Sequence, residues 1–382
     1  MQSSPATRIL YLVHDLNDSA VHQRCRMLSD GGACVTLKGF YRGAEPPKTV
    51  PGADHILSLG RTYNGGFLHR IYKALCAWIF WARHAVGDGP VDIVIARNLE
   101  MLVLAHRARG FFKKPPVLVY EVLDIHRLML GAGMPARLLR RVEAFFLPVV
   151  RMIITSSPAF MTEYFENFYS SLPRVQLVEN KIYDPDRHIT GTCQQLTPAP
   201  PWVIGWFGVL RCRKSLILLR DLVRAYPDRI RVDLRGRPAL DQIPDFHDIV
   251  AATPGMHYEG PYKHPDDLES IYSAVHFVWA IDLYEEGQNS SWLLPNRIYA
   301  SGAYRRPSLV QAGVETARFA GARGIGVPLS RPMEDSIKEF FATLTPEKYT
   351  HLAQAMVCVR LSDFVAARED AVEFVAALQE VV

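Results

Sequence analysis

An alternation of strand and helix patterns runs through most of the 382-residue chain and restarts after a proline-rich segment at residues 197–202. Before that segment, apolar runs of strand composition lie at residues 8–13, 34–40, 92–96, 117–120, 151–155 and 175–178. After it, similar runs lie at residues 203–207, 231–234, 257–260, 276–281, 308–311 and 324–328. Strands that alternate with helices predict parallel sheets covered by helices. The sequence therefore predicts an α/β protein made of two doubly wound, Rossmann-like domains.

The proline-rich segment sets the predicted domain boundaries. We expect an N-terminal domain at residues 1–196, a second domain at 197–360 and a C-terminal helix at 361–382. Apolar residues make up 49% of the chain and charged residues 21%, so both domains can bury a core. The six cysteines are scattered without a C-x-x-C pair, which favours a reducing compartment and argues against structural zinc.

Charge and hydropathy narrow the location and the class of partner. No apolar run reaches the roughly 18–20 residues of a spanning helix, and no signal-peptide pattern is present. These features predict a cytoplasmic protein. Residues 1–196 hold 23 Lys and Arg against 16 Asp and Glu, so the first half favours an anionic partner. Since no nucleic-acid-binding motif accompanies this charge, a membrane surface or a phosphate-bearing acceptor is favoured over nucleic acid.

Residues 286–310 join a polar loop, a short helix pattern and a basic turn that ends at a proline. Pro295 suits the first turn of a helix, which places Asn296 and Arg297 near the helix N-terminus. Unpaired N–H groups and the helix dipole favour an anion there, and Arg297 adds a full charge. The same pattern also fits an ordinary loop–helix–strand connection with a surface arginine.

A second cationic loop follows the first strand of the second half and contains Gly208, Arg211 and Lys214. A glycine at a strand-to-helix turn permits close backbone approach, and the cations would neutralise a pyrophosphate. A surface turn rich in arginine and lysine also fits these residues. Two cationic loops at one edge of one sheet nevertheless favour a ligand site.

Acidic and imidazole side chains follow the predicted strands of the first half at their carboxyl ends, namely His14, Asp15, Glu121 and Asp124. Ligands of doubly wound sheets bind at such ends. Asp124, with Glu121 and His126 in reserve, is therefore the predicted general base. Asp124 also fits a helix cap or an ion pair with Arg127.

The pattern Pro-Asn-Arg-x-Tyr at 295–299, followed by Gly302 and Pro307, resembles the donor-binding segment of GT-B glycosyltransferases. The resemblance implies two Rossmann-like domains facing a cleft, with the C-terminal helix packed on the first domain. Donor contacts are implied for Gly208, Arg211, Lys214, Tyr262, Glu286, Asn296, Arg297 and Tyr299, and acceptor contacts for His14 and Asp15. Tyr262 would stack on uracil. Family 4 members carry two glutamates eight residues apart, but Trp292 and Ala300 stand at those positions here, and Glu286, Glu285 or Asp282 could substitute.

Residues 12–21 and 294–299 resemble the ExoL-type glucosyltransferases of bacterial succinoglycan synthesis. This resemblance implies a UDP-glucose donor and an oligosaccharide acceptor linked to polyprenyl diphosphate at the inner leaflet, with no further cofactor. Tyr120 and Asp124 are spaced as in GumK, an inverting glucuronosyltransferase in which the aspartate is the base. No metal is expected, because the Asp-x-Asp pattern at Asp184 and Asp186 fits an ordinary turn.

Two segments, residues 64–85 and 137–151, combine apolar and basic residues in the manner of interfacial helices. They predict a peripheral protein on the inner face of the cytoplasmic membrane, although 64–85 also fits a core helix. Two other functions use the same donor loops: a GT-B-fold UDP-sugar 2-epimerase and a non-catalytic nucleotide-sugar-binding protein. The basic and aromatic first half counts against the epimerase, which needs no acceptor face.

Overall fold

The computed structural model describes residues 6–63, 67–84, 89–192 and 194–382, and it divides into two compact units. Unit 1 contains Met1–Glu179 and Ala366–Val382, and unit 2 contains Asn180–Val365. The observed division thus falls between Glu179 and Asn180, whereas the sequence placed it between residues 196 and 197. The return to the first unit comes at Ala366 rather than at residue 361.

The segment ahead of the proline-rich stretch is responsible for this difference. Ile182 is buried in a core cluster of unit 2. Arg306 Nη2 donates to the Gln194 carbonyl oxygen at 2.7 Å, and Arg305 Nε donates to the Gly191 carbonyl oxygen at 3.1 Å. Proline composition marks a local backbone preference, whereas the boundary follows these long-range contacts.

Unit 1 is built on a seven-stranded parallel sheet in the order β3-β2-β1-β4-β5-β6-β7. Its strands are β1 (Thr7–Val13), β2 (Ala33–Tyr41), β3 (His55–Arg61), β4 (Ile93–Arg97), β5 (Val117–Val122), β6 (Val150–Thr155) and β7 (Arg174–Leu177). Strand β4 is buried along its whole length, as a strand covered on both faces requires. The sequence did not predict β3, because this edge strand is mostly exposed or half-buried and lacks a continuous apolar run.

Helices cover the unit 1 sheet between its strands. They are α1 (Ser19–Asp30), α2 (Phe67–Ile79), α3 (Trp81–His84), α4 (Leu99–Arg109), α5 (Arg127–Leu130), α6 (Met134–Phe146), α7 (Pro158–Phe160) and α8 (Glu166–Phe168). Helix α1 begins where the Asp18 carboxylate accepts from the Ala20 N–H at 2.9 Å, a standard N-cap.

Unit 2 is built on a six-stranded parallel sheet in the order β11-β10-β9-β12-β13-β14. In chain order the strands of this sheet are β9 (Trp202–Leu210), β10 (Ile230–Pro238), β11 (Met256–Tyr258), β12 (Phe277–Trp279), β13 (Ser308–Gln311) and β14 (Gly326–Leu329). Two short strands, β8 (Ile182–Tyr183) and β15 (Val365–Ala366), pair in a separate two-stranded sheet. Its helices are α9 (Arg213–Ala225), α10 (Phe246–Ala251), α11 (Leu268–Ser273), α12 (Asn289–Trp292), α13 (Asn296–Ala303), α14 (Glu315–Arg323), α15 (Met333–Thr343) and α16 (Pro346–Val357).

The last helix, α17 (Arg368–Gln379), belongs to unit 1 and packs on α1. The Arg24 guanidinium lies over the Phe374 ring at 5.0 Å. A Cβ on Gly31, at the end of α1, would lie 2.4 Å from the Ala371 carbonyl oxygen, so the close approach of the two helices requires glycine there.

Both sheets reverse their strand order at their first long strand. Strand β1 lies between β2 and β4, and β9 lies between β10 and β12. Open α/β sheets bind ligands at the carboxyl ends of the strands, at the point where the order reverses. The loops after β1 and β4 in unit 1, and after β9 and β12 in unit 2, are therefore where a ligand site is expected.

Candidate functional site

Three glycines with positive φ lie at the carboxyl ends of neighbouring strands in unit 2. Gly208 in β9 has a φ of 109°, Gly236 in β10 a φ of 133°, and Gly260 just after β11 a φ of 80°. A Cβ on Gly236 would lie 1.8 Å from the Gly208 carbonyl oxygen, so only glycine fits. A Cβ on Gly208 would meet nothing within 4 Å. The backbone at Gly208 is thus open to close approach by a ligand.

Arg211 follows β9 and lies beside the loop that follows β12. Its Nη2 is 3.6 Å from Asp282 Oδ2, and its guanidinium lies over the Tyr284 ring at 4.6 Å. Asp282 also accepts from the Tyr284 N–H at 2.9 Å and from Ser290 Oγ at 3.1 Å. The carboxylate that faces Arg211 is therefore shared among several donors, which leaves part of the Arg211 charge available to a ligand.

Lys214, in the first turn of α9, pairs with the loop after β12. Its Nζ donates to Glu286 Oε2 at 2.6 Å, and Arg331, from the loop after β14, bonds Glu286 Oε1. One carboxylate thus serves two cations. Both cationic side chains are largely exposed, with side-chain exposures of 66% for Lys214 and 62% for Arg331. Exposed pairs of this kind contribute about 0–1 kcal/mol each, so an incoming anion can replace them.

Arg297 is the second residue of α13, and its guanidinium points toward the end of β12. Its Nη2 donates to the Ile281 carbonyl oxygen at 3.0 Å. Its Nε is buried and has no hydrogen-bond partner among the described residues. Burial lowers the pKa of Arg297, while the nearby Asp282 carboxylate opposes that shift. A half-buried guanidinium whose buried Nε is an unused donor is a site that an anion would satisfy.

The other residues of the predicted donor segment have different environments. Pro295 is the N-cap of α13 rather than a residue of its first turn, and Asn296 is exposed at the start of the helix. Tyr299 is fully buried and packs edge-on against Phe319, so its ring belongs to the core and is not a ligand contact. Tyr262 is half-buried in the loop after Gly260, where burial raises the pKa of its hydroxyl and Arg297 opposes the shift.

The Glu121 carboxylate in unit 1 belongs to a fully buried ionic network. Its Oε1 accepts from Arg24 Nε at 2.9 Å, its Oε2 accepts from Arg97 Nε at 3.1 Å, and Tyr11 Oη donates to Oε2 as well. Burial alone would raise the pKa of Glu121, but Arg97 and Arg24 hold that pKa below its ordinary value. The carboxylate is inaccessible to solvent and both of its oxygens accept hydrogen bonds from the protein. The structure therefore assigns Glu121 a structural role and excludes it as a general-base candidate.

Asp124 and His126 lie in the loop between β5 and α5. Asp124 is exposed two residues beyond Val122, where β5 ends. His126 is the N-cap of α5, and its Nδ1 accepts from the Leu128 N–H at 3.3 Å. The structure thus gives His126 a capping role, while Asp124 is the exposed carboxylate of this loop.

His14 and Asp15 lie directly after β1. Asp15 accepts from the Asn17 N–H at 3.1 Å and lies 3.7 Å from Arg42 Nε. Burial raises the pKa of Asp15, although the Asn17 N–H and Arg42 oppose the shift. His14 Nδ1 is 3.4 Å from the amide nitrogen of Asn98, the first residue after β4. The loops after β1 and β4 therefore meet where the strand order of unit 1 reverses.

Sequence reasoning missed four residues of these sites: Arg24, Arg97, Asn98 and Arg331. Arg24 lies 97 positions from Glu121 and Arg97 lies 24 positions from it, so no local pattern joins them. Asn98 could have been predicted as a site residue, because it is polar and directly follows an apolar strand. Arg331 likewise follows the last strand of the unit 2 sheet, at the same edge as Lys214.

Helix α6 presents an apolar and basic face to solvent. Met134 is 71% exposed, Leu138 62% and Phe145 72%. Spacings of four and seven residues put these side chains, together with Arg141, on one face of the helix. The opposite face buries Glu143 and Phe146.

Helix α2 has exposed apolar residues as well, at Tyr72, Leu75, Trp78 and Ile79, while Ala77 is buried. The described side chains of the segment 64–85 thus differ along its length: those of α2 are mostly exposed, whereas Trp81 in α3 is fully buried. Residues 64–66 and 85 lie outside the described residues, as does the side chain of Arg70. In the described chain, no helix has both the length and the apolar character needed to cross a membrane.

Asp184, in the Asp-x-Asp turn, interacts with other groups of the protein. Its carboxylate accepts from the Ile189 N–H at 2.6 Å and lies 3.5 Å from His188. Among the residues that the structure describes, no group of three or more His, Cys, Asp or Glu side chains is arranged to hold a metal ion.

The chain is similar to proteins of known family and to known structures. It is 43% identical over 351 residues to the succinoglycan biosynthesis protein ExoL of Rhizobium meliloti (strain 1021), covering 91% of this chain and 87% of that protein. Its fold is similar to that of sucrose-phosphate synthase from Thermosynechococcus elongatus, with a TM-score of 0.70, 13% identity and 98% of each chain covered. It is also similar to Anabaena HepE in complex with UDP and glucose, with a TM-score of 0.67, 16% identity, and 98% and 100% of the two chains covered. No protein-family model matches the sequence.

Proposed function

Since this chain belongs to the family of the succinoglycan biosynthesis protein ExoL and has the GT-B fold of glycosyltransferases, we propose that it transfers glucose from UDP-glucose during exopolysaccharide synthesis. The acceptor in this proposal is an oligosaccharide on polyprenyl diphosphate. The ExoL relative supports the biosynthetic role. Structures of HepE with UDP and with UDP-glucose support the choice of donor.

One observation carries the proposal: the cationic edge of the unit 2 sheet. Arg211, Lys214, Arg297 and Arg331 share Asp282 and Glu286 as counter-ions. A diphosphate would supply the missing negative charge and would accept from the unused Nε of Arg297. Gly208 leaves room for close backbone approach at the same edge. These features match a nucleoside diphosphate better than a neutral ligand.

The chemistry follows from charge placement. The acceptor hydroxyl oxygen forms a bond to the anomeric carbon of glucose, and the bond from that carbon to UDP breaks. The leaving diphosphate gains negative charge, which Lys214, Arg211 and Arg297 stabilise without a metal in this proposal. The proton of the acceptor hydroxyl passes to the Asp124 carboxylate, which acts as general base. Attack from the face opposite UDP inverts the anomeric configuration.

Membrane attachment completes the proposal. The exposed face of α6 combines apolar side chains with basic ones, as interfacial helices do, and α2 exposes further apolar side chains. On the inner face of the cytoplasmic membrane they would meet anionic lipid and bring unit 1 to a lipid-linked acceptor.

The test is a measurement of UDP release from UDP-glucose by purified protein, with and without membranes that hold lipid-linked saccharide intermediates. The proposal predicts rapid UDP release with those membranes, together with glucose in the lipid extract, and only slow hydrolysis of UDP-glucose without them. Conversion of the donor to an epimeric UDP-sugar without acceptor would favour the epimerase. UDP-glucose binding with no conversion in either condition would favour a non-catalytic binding protein.

A further inference from the structure

Asn98 has a backbone conformation that is nearly reserved for glycine. Its φ is 72° and its ψ is 168°. Non-glycine residues in this region are strained and persist only where the surrounding structure holds them. The Asn98 N–H donates to the Glu121 carbonyl oxygen at 2.9 Å, which helps to fix the backbone. Glycine at this position would avoid the strain, so we expect the asparagine side chain to make an interaction that glycine could not make.

Helix capping does not explain the asparagine side chain. Asparagine is common at helix N-caps because its side-chain oxygen accepts from an N–H of the first turn. Asn98 occupies the N-cap position of α4 but makes no side-chain cap hydrogen bond. Its amide nitrogen lies 3.4 Å from His14 Nδ1, and its amide oxygen is buried without a hydrogen-bond partner among the described residues. An unpaired buried acceptor destabilises the fold unless a ligand supplies its hydrogen bond.

The charged groups beside Asn98 indicate what would bind to it. Arg97 is fixed by Glu121 at 3.1 Å and by Asp18 at 3.4 Å. The loop after β1 adds His14 at the point where the strand order reverses, which is where ligands of such sheets bind. Arg97 disfavours a cationic ligand, and Asp18 disfavours an anionic one. A neutral hydroxyl donor fits this mixed environment.

We infer that the amide oxygen of Asn98 accepts a hydrogen bond from a saccharide hydroxyl, and that the strained backbone serves to place the Asn98 amide group beside His14. The inference rests on the proposed function, because a sugar substrate supplies the hydroxyl. Asn98 is thus a positioning and specificity residue, which contacts the saccharide but takes no proton from it. The saccharide is either the acceptor or the glucose of the donor, and the two can be separated experimentally.

The experiment compares Asn98→Gly with Asn98→Ala. Both variants remove the amide, but only glycine removes the strain. We expect the melting temperature of Asn98→Gly to rise by about 2–4 °C, while that of Asn98→Ala does not rise. We expect kcat/KM for transfer to fall about tenfold in both variants, the effect of one lost hydrogen bond. Activity that falls equally in a stabilised and an unstabilised variant separates substrate contact from a structural role.

Arg187→Gly is the matched control, since Arg187 is exposed with a φ of 57° in another turn. It should keep wild-type kcat/KM whatever its effect on the melting temperature. A raised KM for the saccharide acceptor with unchanged UDP-glucose KM and unchanged acceptor-free hydrolysis identifies the acceptor hydroxyl. Loss of acceptor-free hydrolysis identifies the donor glucose.

Wild-type kcat/KM in Asn98→Gly, or a lower melting temperature for that variant, would overturn the inference. The proposed function fails separately, because in that case the wild-type protein transfers no sugar at all.

Discussion

Lys214 and Glu286 form a direct ion pair at the carboxyl edge of the unit 2 sheet, with Lys214 Nζ 2.6 Å from Glu286 Oε2. The same carboxylate bonds Arg331. Glu286 therefore gathers two exposed cations from different loops and keeps them close together. Because the pair is exposed and contributes little to stability, a diphosphate can take the place of the carboxylate.

Lys214→Ala and Arg297→Ala should each weaken UDP binding by about 1.5–3 kcal/mol, because each removes a charge-assisted contact to the diphosphate. Isothermal calorimetry on folded variants measures this directly. The matched control is Arg213→Ala, since Arg213 neighbours Lys214 but pairs with Asp245. Equal UDP affinity in wild type and both variants would show that the cationic edge is not the donor site.

Glu121→Gln should destabilise the protein by about 3–5 kcal/mol, because it leaves the buried Arg24 and Arg97 guanidinium groups without their carboxylate. Urea unfolding measures the loss. Asp124→Asn serves as the comparison, since Asp124 is exposed and its substitution should change the unfolding midpoint very little. An unfolding midpoint for Glu121→Gln equal to that of wild type would mean that the buried network contributes nothing.

The Glu121 network also predicts the direction of acid sensitivity. The folded-state pKa of Glu121 lies below its ordinary value, so this group stabilises the fold above the unfolded pKa, which is about 4.3. That stabilisation is lost as the pH falls through the depressed folded-state pKa. The difference in unfolding free energy between wild type and Glu121→Gln should therefore shrink below about pH 4. A difference that grows on acidification would contradict the assigned sign.

The fold was largely predictable because its signals are local. Twelve predicted strands correspond to strands of the two sheets, but β3 was missed because an exposed edge strand has no continuous apolar run. The candidate site was less predictable. Gly208 and Lys214 follow a strand and could be recognised from that pattern. The burial of Glu121 by two distant arginines, and of Tyr299 against Phe319, depends on tertiary packing that no local pattern contains.

The exposed face of α6 should bind anionic membranes. Leu138→Ser combined with Phe145→Ser should reduce co-sedimentation with vesicles that contain anionic lipid, because both changes remove exposed apolar area from one helix face. Added salt should release part of the wild-type protein. Val372→Ser, an exposed position on α17, is the control. Equal recovery on neutral and anionic vesicles, or on neither, would count against this face.

Asp124→Asn should lower kcat by roughly 10²–10⁴-fold, because it keeps the shape of the side chain and removes the proposed general base. UDP-glucose affinity should stay near the wild-type value, since the proposed donor contacts lie in unit 2. The rates should be the same with and without EDTA if no metal takes part. Wild-type turnover in this variant would exclude Asp124 as the base.

The most direct test of the account is the structure of the product formed from UDP-[¹³C]glucose and a lipid-linked saccharide acceptor, determined by NMR. We expect one added glucose joined through a β-glycosidic bond, because inversion converts the α configuration of the donor. An added glucose in the α configuration would contradict the inverting mechanism with Asp124 as base. The absence of any glucosylated product under conditions that preserve UDP-glucose binding would contradict the assignment as a glucosyltransferase.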